Sequence, residues 1–551
     1  MNFKLLRLAL PAAVLAISLF VAACGSSDSD DSADAGPDPI TLAPADVPFY
    51  AQMVVRPEGD LKDDLNSAVG KLTGDDDPGA QIIDEINSSL AEDTDLTYED
   101  DIEPWLGSRA GVFVSGFQFD TEEPDVALVV ATTDTDAAQG FVDASIEESG
   151  DSTSDETYEG VSYKLDSDDG TAIGIVDDFL VVGTEQGFKA AVDAGSGDSL
   201  ADDSEATAAL AEAPDDSIFS MYADGAAITD LIKSSPDLSA QESKQLDEAF
   251  AQVPDGPVEA WGTVTDSSFS IEGSAPTSED TPAASDLITT FPADSWFATA
   301  STDVGEQITT QLQQFQEGFE TSLKQAKSQL PPGVDASDLD PLGQIEKQTG
   351  LDFEKDLGWI GDAGAFFEGT SVLGLGAGVV LESNDDKAAS AALDKLETAL
   401  KKDRSLRQQA AIAPNSSGDG FTLSSPPFTA EFAVRDGKAV MAAGSENVDS
   451  VLDPDETLAD SDRFTSATGN LADGATPTFF LDMPSVVTLI ESQEAATADP
   501  DYAQVAPYLH AIDYMVAGTG TSGDRTVGSF VLGVKESDDP GSDAAAAVIT
   551  P

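Results

Sequence analysis

The sequence predicts an α+β fold of two tandem homologous units, each a mostly antiparallel sheet with helices packed on one face. Three observations predict it. Short β-branched runs such as "VALVVATT" (126–133) and "GVVLES" (378–383) read as strands bounded by polar turns. Alanine-rich stretches follow them, each opened by a Thr/Ser/Asn/Asp cluster of the kind that caps helix N-termini (Thr133 to Asp136, Ser383 to Asp386). Finally, blocks recur in one order along the chain. "LAPADVPFYAQ" (42–52) is answered by "TFPADSWFATA" (290–300), and "TDLTYEDDIEPWLGSRAGVFVSG" (94–116) by "TGLDFEKDLGWIGDAGAFFEG" (349–369). "IGIVDDFLVVGTEQGFKAAVD" (173–193) is answered by "FAVRDGKAVMAAGSENVDSVLD" (432–453), and "EAWGTVTDSSFSIEGS" (259–274) by "VAGTGTSGDRTVGSFVLG" (516–533).

Taken in order, residues 1–23 read as a lipoprotein signal peptide. Lys4 and Arg7 precede the uncharged run "LALPAAVLAISLFV" (8–21), which is shorter than the roughly 20 residues a spanning helix needs. Val21-Ala22-Ala23-Cys24-Gly25 then resembles the bacterial lipobox, which implies cleavage between Ala23 and Cys24 and a diacylglycerol on the Cys24 thiol. Residues 24–40 are expected to form a disordered acidic tether, because the stretch is rich in Ser, Asp, Gly and Pro. Repeat A is expected over 41–273, a linker over 274–285, repeat B over 286–535 and a flexible tail over 536–551. In repeat B the longest helix is expected over 304–330, with Ile308, Leu312, Phe315 and Phe319 on its apolar stripe. Hairpins are expected to turn at Asp177-Asp178 and Asp436-Gly437, each followed by a short helix opening at Thr184 or Ser445.

Composition narrows function by exclusion. Lys plus Arg is 25 against 104 for Asp plus Glu, a net charge of −79, while 40% of residues are apolar. That describes folded cores under an acidic surface, and it excludes nucleic acid, whose phosphates call for clustered cations. With Cys24 given to lipid, no other cysteine exists, and the single histidine, His510, cannot build an imidazole cluster. No cofactor, catalytic residue or metal ligand is assigned. Gly518-Thr519-Gly520-Thr521-Ser522-Gly523 matches G-x-G-x-x-G but runs into a strand pattern, whereas a dinucleotide site needs a helix there. The "GLGAG" of 374–378 also leads into a strand. The acidic loops "TGDDDPG" (73–79) and "DSDDG" (166–170) lack the order of an EF-hand and read as solvated turns.

The blocks "DLTYEDDIEPWLG" (95–107) and "GLDFEKDLGWIG" (350–361), with "GIVDDFLVVGTEQGFKAAVD" and the openings "PAD..FYA" and "PAD.WFA", resemble a family of exported bacterial proteins known as domain of unknown function 3352. The resemblance implies location and architecture and carries no activity. Repeat A departs from repeat B by the inserted-looking 73–79. The expectation is a lipid-anchored extracytoplasmic protein at the outer face of the cytoplasmic membrane, a non-catalytic binding or structural module of the cell envelope. Its expected partners are the membrane through Cys24, an envelope protein, and weakly and non-specifically held divalent cations. The alternatives are a substrate-binding lipoprotein of a transporter and a hydrolase using only carboxylates or serine.

Overall fold

The structure is a computed structural model that describes residues 36–536, apart from 76, 92–93, 119–122, 150–151, 168, 234–255, 278–282, 313–351, 494–496 and 498. It is a mixed α and β structure with extensive antiparallel sheet, divided into two compact units: Met1–Glu279 together with Thr521–Pro551, and Asp280–Gly520. Among the described residues no helix is long and apolar enough to cross a membrane.

The first unit begins earlier than the tether reading allows. Asp38 Oδ1 accepts the Ile40 N–H at 3.2 Å and starts a 3-10 turn over Pro39–Leu42. Ile40 and Leu42 enter the core, so residues 36–40 of the expected tether belong to the folded body. The strands are β1 (Phe49–Val54), β2 (Leu106–Gln118), β3 (Glu123–Thr132), β4 (Thr153–Tyr158), β5 (Val161–Asp166), β6 (Thr171–Val176), β7 (Phe179–Thr184), β8 (Phe219–Asp224), β9 (Pro257–Thr265) and β10 (Ser268–Pro276). They lie in the order 4-5-6-7-3-2-1-8-9-10, every neighbour antiparallel.

Helices α1 (Gly59–Thr73), α2 (Pro78–Leu90), α3 (Thr135–Ser149), α4 (Glu185–Ser196) and α5 (Ser204–Leu210) cover both faces of this sheet, which corrects the expectation of one covered face. On β3, Val129 and Ala131 pack with Phe188, Ala191 and Val192 of α4. Val130, between them, packs with Ala138 and Val142 of α3 and with Ile83 and Ile86 of α2. Neighbouring strand residues point to opposite faces, so an unbroken apolar run is a strand buried on both sides. The acidic loop 73–79 serves these helices: Gly74, at φ +74, closes α1, and Asp77 Oδ1 accepts the Ala80 N–H at 3.1 Å to open α2.

The second unit has β11 (Ser295–Ser301), β12 (Ile360–Glu368), β13 (Gly376–Ser383), β14 (Ala411–Pro414), β15 (Gly420–Ser425), β16 (Phe428–Arg435), β17 (Lys438–Gly444), β18 (Ala475–Asp482) and β19 (Ile512–Ser522), with helix α6 (Asp386–Lys402). Their order is 14-15-16-17-13-12-11-18-19, the first unit's order strand for strand, again antiparallel. Small features match too. Trp105 Nε1 donates to the Asp101 carbonyl and Trp359 Nε1 to that of Asp356, both at 2.6 Å. Isolated bridges join Pro44 to Ser199 and Pro292 to Thr457. Residues 304–312 are helical; Phe315, Phe319 and the rest of the expected 304–330 helix lie outside the described residues.

The last strand, β20 (Arg525–Val534), is grouped with the first unit, where it runs antiparallel to β10 from Ser268↔Gly533 to Pro276↔Arg525. Arg525 secures it, its Nη2 2.5 Å from Glu259 Oε2 and its Nε donating to Ser274 Oγ at 2.5 Å. The expected linker over 274–285 therefore starts inside a paired strand. Of the tail expected over 536–551, only Glu536 is among the described residues.

Candidate functional site

Ala23 and Cys24, the site residues named from the sequence, lie outside the described residues. The glycine run 518–523 falls in β19 and the turn after it, with Gly523 at φ +66 and a strand following, as its reading required. His510 Nε2 sits 2.8 Å from Glu491 Oε1, which also accepts the Tyr502 hydroxyl at 3.0 Å. Among the described residues no group of three or more His, Cys, Asp or Glu side chains is placed to hold a metal ion.

A polar cavity lies in the first unit, and its residues form no sequence motif. Strand alternation puts Tyr50, Gln52 and Val54 of β1 on one face. In register with them stand Phe113, Gly111 and Arg109 of β2, and Tyr222 and Ser220 of β8 flank Tyr50 and Gln52 on the other side. At one end of this face Tyr50, Phe113 and Tyr222 are buried in the core. Gly111 is required there, because a Cβ at that position would lie 2.9 Å from the Tyr50 hydroxyl and 2.8 Å from Pro39. Toward the other end the face turns polar. Tyr50 Oη donates to Gln52 Oε1 at 3.3 Å, and Gln52 Nε2 donates to Ser220 Oγ at 3.1 Å. Burial, and then the charge of Asp38, hold the Tyr50 phenol well above its ordinary pKa, so it stays a neutral donor.

Beyond Ser220 opens a cavity of about 190 Å³, lined by Gln52, Arg109, Leu210, Pro214, Ser217 and Ser220, with Asp215 also on its wall. Leu210 ends α5, and the loop after it brings Ser217 over the strands. The Ser217 hydroxyl is buried and has no hydrogen-bond partner among the described residues. Arg109 is half-buried, and its guanidinium makes no hydrogen bond or ion pair among the described residues. Other arginines are held: Arg56 by Glu103, Arg463 by Asp482 and Asp513, Arg525 by Glu259. A larger cavity of about 500 Å³ in the second unit also touches an arginine, Arg435, but Asp419 at 2.8 Å and Asp449 already occupy it.

The second unit's distinctive group is a carboxyl pair. Glu368, at the end of β12, is pushed up to a pKa of about 7, first by burial and then by the adjacent Glu446 carboxyl. Ser445 Oγ donates to Glu368 Oε1 at 3.4 Å.

A family model described as "Protein of unknown function (DUF3352)" matches residues 77–525. The chain belongs to the DUF3352 family. No curated protein matches this DUF3352 chain. A solved structure described as "Structure of crystal form I of TP0453" matches it with 11% identity, over 45% of this chain and 82% of that one, at a TM-score of 0.24. That likeness is too weak to bear on fold or function. The cavity of this DUF3352 protein escaped the sequence reading because its residues meet only through strand pairing, Gln52 with Ser220 across 168 positions. The one available signal was Arg109 itself, a cation inside the otherwise apolar strand pattern "GSRAGVFV" of an acidic chain.

Proposed function

We propose that this DUF3352 protein is exported, held at the outer face of the cytoplasmic membrane by lipid on Cys24, and acts without catalysis as a binding module of the cell envelope. The cavity at Arg109 is the observation that carries the binding part: a sheltered cation left unpaired in a chain of net charge −79. The sequence supports the location through the charged start, the short apolar run and the Ala23-Cys24 junction, since two acyl chains at about 0.8 kcal/mol per buried methylene anchor a protein without a spanning helix. We further infer that the body is a duplication, supported by the recurring blocks, the common strand order and the matching Pro44 and Pro292 bridges. A substrate-binding lipoprotein that feeds a transporter is the weaker reading, because such receptors have parallel βαβ lobes and the strand pairings described above are antiparallel.

Mass spectrometry of the mature chain tests the anchor. The expected N-terminus is an acylated Cys24, and Cys24→Ser should move the protein out of the membrane fraction. An unacylated mature N-terminus, or intact chain in the cytosol, would overturn the proposal.

A further inference from the structure

We propose that the Arg109 cavity binds a small molecule through a single carboxylate, and that of the two units only the first does so. The inference deepens the binding-module reading and rests on it.

The guanidinium supplies the charge. It is a rigid planar fork of donors whose geometry matches a carboxylate or phosphate, and half-buried without a partner it leaves those donors unanswered. The surrounding hydroxyls are set as donors as well. Ser220 Oγ already accepts from Gln52, whose amide is oriented by the Tyr50 hydroxyl, so the Ser220 hydrogen is left to donate into the cavity. Ser217 Oγ, buried and unpartnered on the same wall, adds another donor. Three side chains on the wall of a cavity of about 190 Å³ therefore offer donors, and that space suits a small molecule.

Charge selects among anions. Arg109 is the one cation on the wall among the described residues, Asp215 stands on it too, and the whole chain is strongly negative. One negative charge is compensated and a second is repelled, which favours a monocarboxylate over a phosphate dianion. Leu210 and Pro214 offer a short apolar body its contact.

Among the described residues the second unit has neither the arginine nor the glutamine at the matching positions. Ala110 pairs with Met53 and Ala363 with Ser301, so the residue before each alanine corresponds: Arg109 in one unit, Asp362 in the other. Gln52 opposite Gly111 is matched by Ala300 opposite Gly364. Asp362 Oδ1 instead accepts the Asp303 N–H at 3.4 Å.

Calorimetric titration of the full chain with acetate, propionate and lactate, with inorganic phosphate and methylammonium as comparators, tests the proposal. At least one carboxylate should bind saturably. Arg109→Gln should weaken it about tenfold or more, the loss expected for a charge-assisted hydrogen bond, and Ser217→Ala should weaken it less. Asp362→Asn should change nothing. The unliganded melting temperature of Arg109→Gln should stay at or above that of the parent, since the removed charge has no partner, and this reports that the variant folds. Failure of all three carboxylates to bind, phosphate binding as tightly as they do, or affinity surviving Arg109→Gln would each overturn it. None of these results depends on acylation, so a failed anchor test and a failed cavity test are separate outcomes.

Discussion

Where the first unit sets Tyr50 against Gly111, the second sets Phe291 against Gly364. The two rings come from different places in the chain. Tyr50 pairs with Phe113 in β1–β2, and Ala298 pairs with Phe366 in β11–β12, so Ala298 holds the position of Tyr50. Ala43 and Phe291 each accept the N–H that follows their matched bridges, from Leu200 and Leu458, both at 2.7 Å. Phe291 therefore holds the position of Ala43. A large residue and a small one have traded places, and core volume is conserved, the kind of change that packed interiors tolerate. Polarity is not conserved. The first unit keeps a hydroxyl that feeds Gln52 and Ser220, while the second packs Phe291 against Phe366 in a tilted pair, 5.2 Å between ring centroids. The two units thus share a strand order and differ in their polar chemistry.

The largest expected effect separates the units by their arginine clamps. Arg525 in the first unit faces Glu259, whose side chain is 2% exposed, whereas Arg463 in the second holds Asp482 and Asp513 with 40% of its own side chain exposed. Removing Arg525 strands a buried carboxylate, so Arg525→Met should cost about 3–5 kcal/mol. Arg463→Met should cost about 1 kcal/mol or less. Burial already raises the pKa of Glu259 despite Arg525, so the Arg525→Met loss should grow as pH rises. Urea unfolding of the full chain at two pH values measures both, and equal losses would erase the contrast.

A smaller effect tests the exchanged rings. Tyr50→Ala alone should cost about 3–5 kcal/mol by opening a cavity, and Ala43→Phe alone about 1–3 kcal/mol by overpacking. Combined, they rebuild the second unit's arrangement in the first, and the pair should be more stable than the sum by about 1–3 kcal/mol. Additive losses in a double-mutant cycle would mean that Ala43 and Phe291 are not equivalent.

Much of this fold was legible locally. The expected caps are in place: Asp134 Oδ1 accepts the Ala137 N–H at 3.0 Å, and Asp385 Oδ1 accepts those of Lys387 and Ala388. The tight turns fall at Asp177 and Asp436, both at positive φ. One helix start was misplaced. Asn447 rather than Ser445 caps the helix after β17, because Ser445 turns to Glu368 and the Gly374 carbonyl. The two-faced burial was also written in the unbroken apolar runs of β3 and β7, where Leu180 and Val181 enter different clusters, but hairpins alone do not say what covers each face. Of the cavity, only Arg109 stood out in the sequence, as a cation inside an apolar strand pattern. Gln52, Arg109 and the segment from Ser217 to Ser220 are far apart in sequence and carry no spacing rule, so only the register of three strands and the loop before β8 unite them.

The smallest effect contrasts the glutamates that follow β7 and β17. Glu185 in the first unit accepts from Lys189 Nζ at 2.6 Å and from Tyr163 Oη at 3.0 Å, and chiefly that lysine bond lowers its pKa. Its contribution to stability is present above the ordinary glutamate value and lost as pH falls through the lowered one. Glu446 faces Glu368 instead, and burial with that neighbour raises Glu368 from 4.5 to about 7. The folded chain then keeps a proton that the unfolded chain releases, so the stability from Glu368 is fully present below about 4.5 and lost as pH rises through about 7. Glu368→Gln removes the ionisable partner and keeps the shape. Its melting temperature should be close to that of the parent at pH 5 and should exceed it by a widening margin up to pH 8. Glu185→Gln should do the reverse, lowering the melting temperature at pH 7 and converging on the parent near pH 3. A Glu368→Gln difference that stays constant from pH 5 to pH 8 would show that the two carboxyl groups do not share a proton.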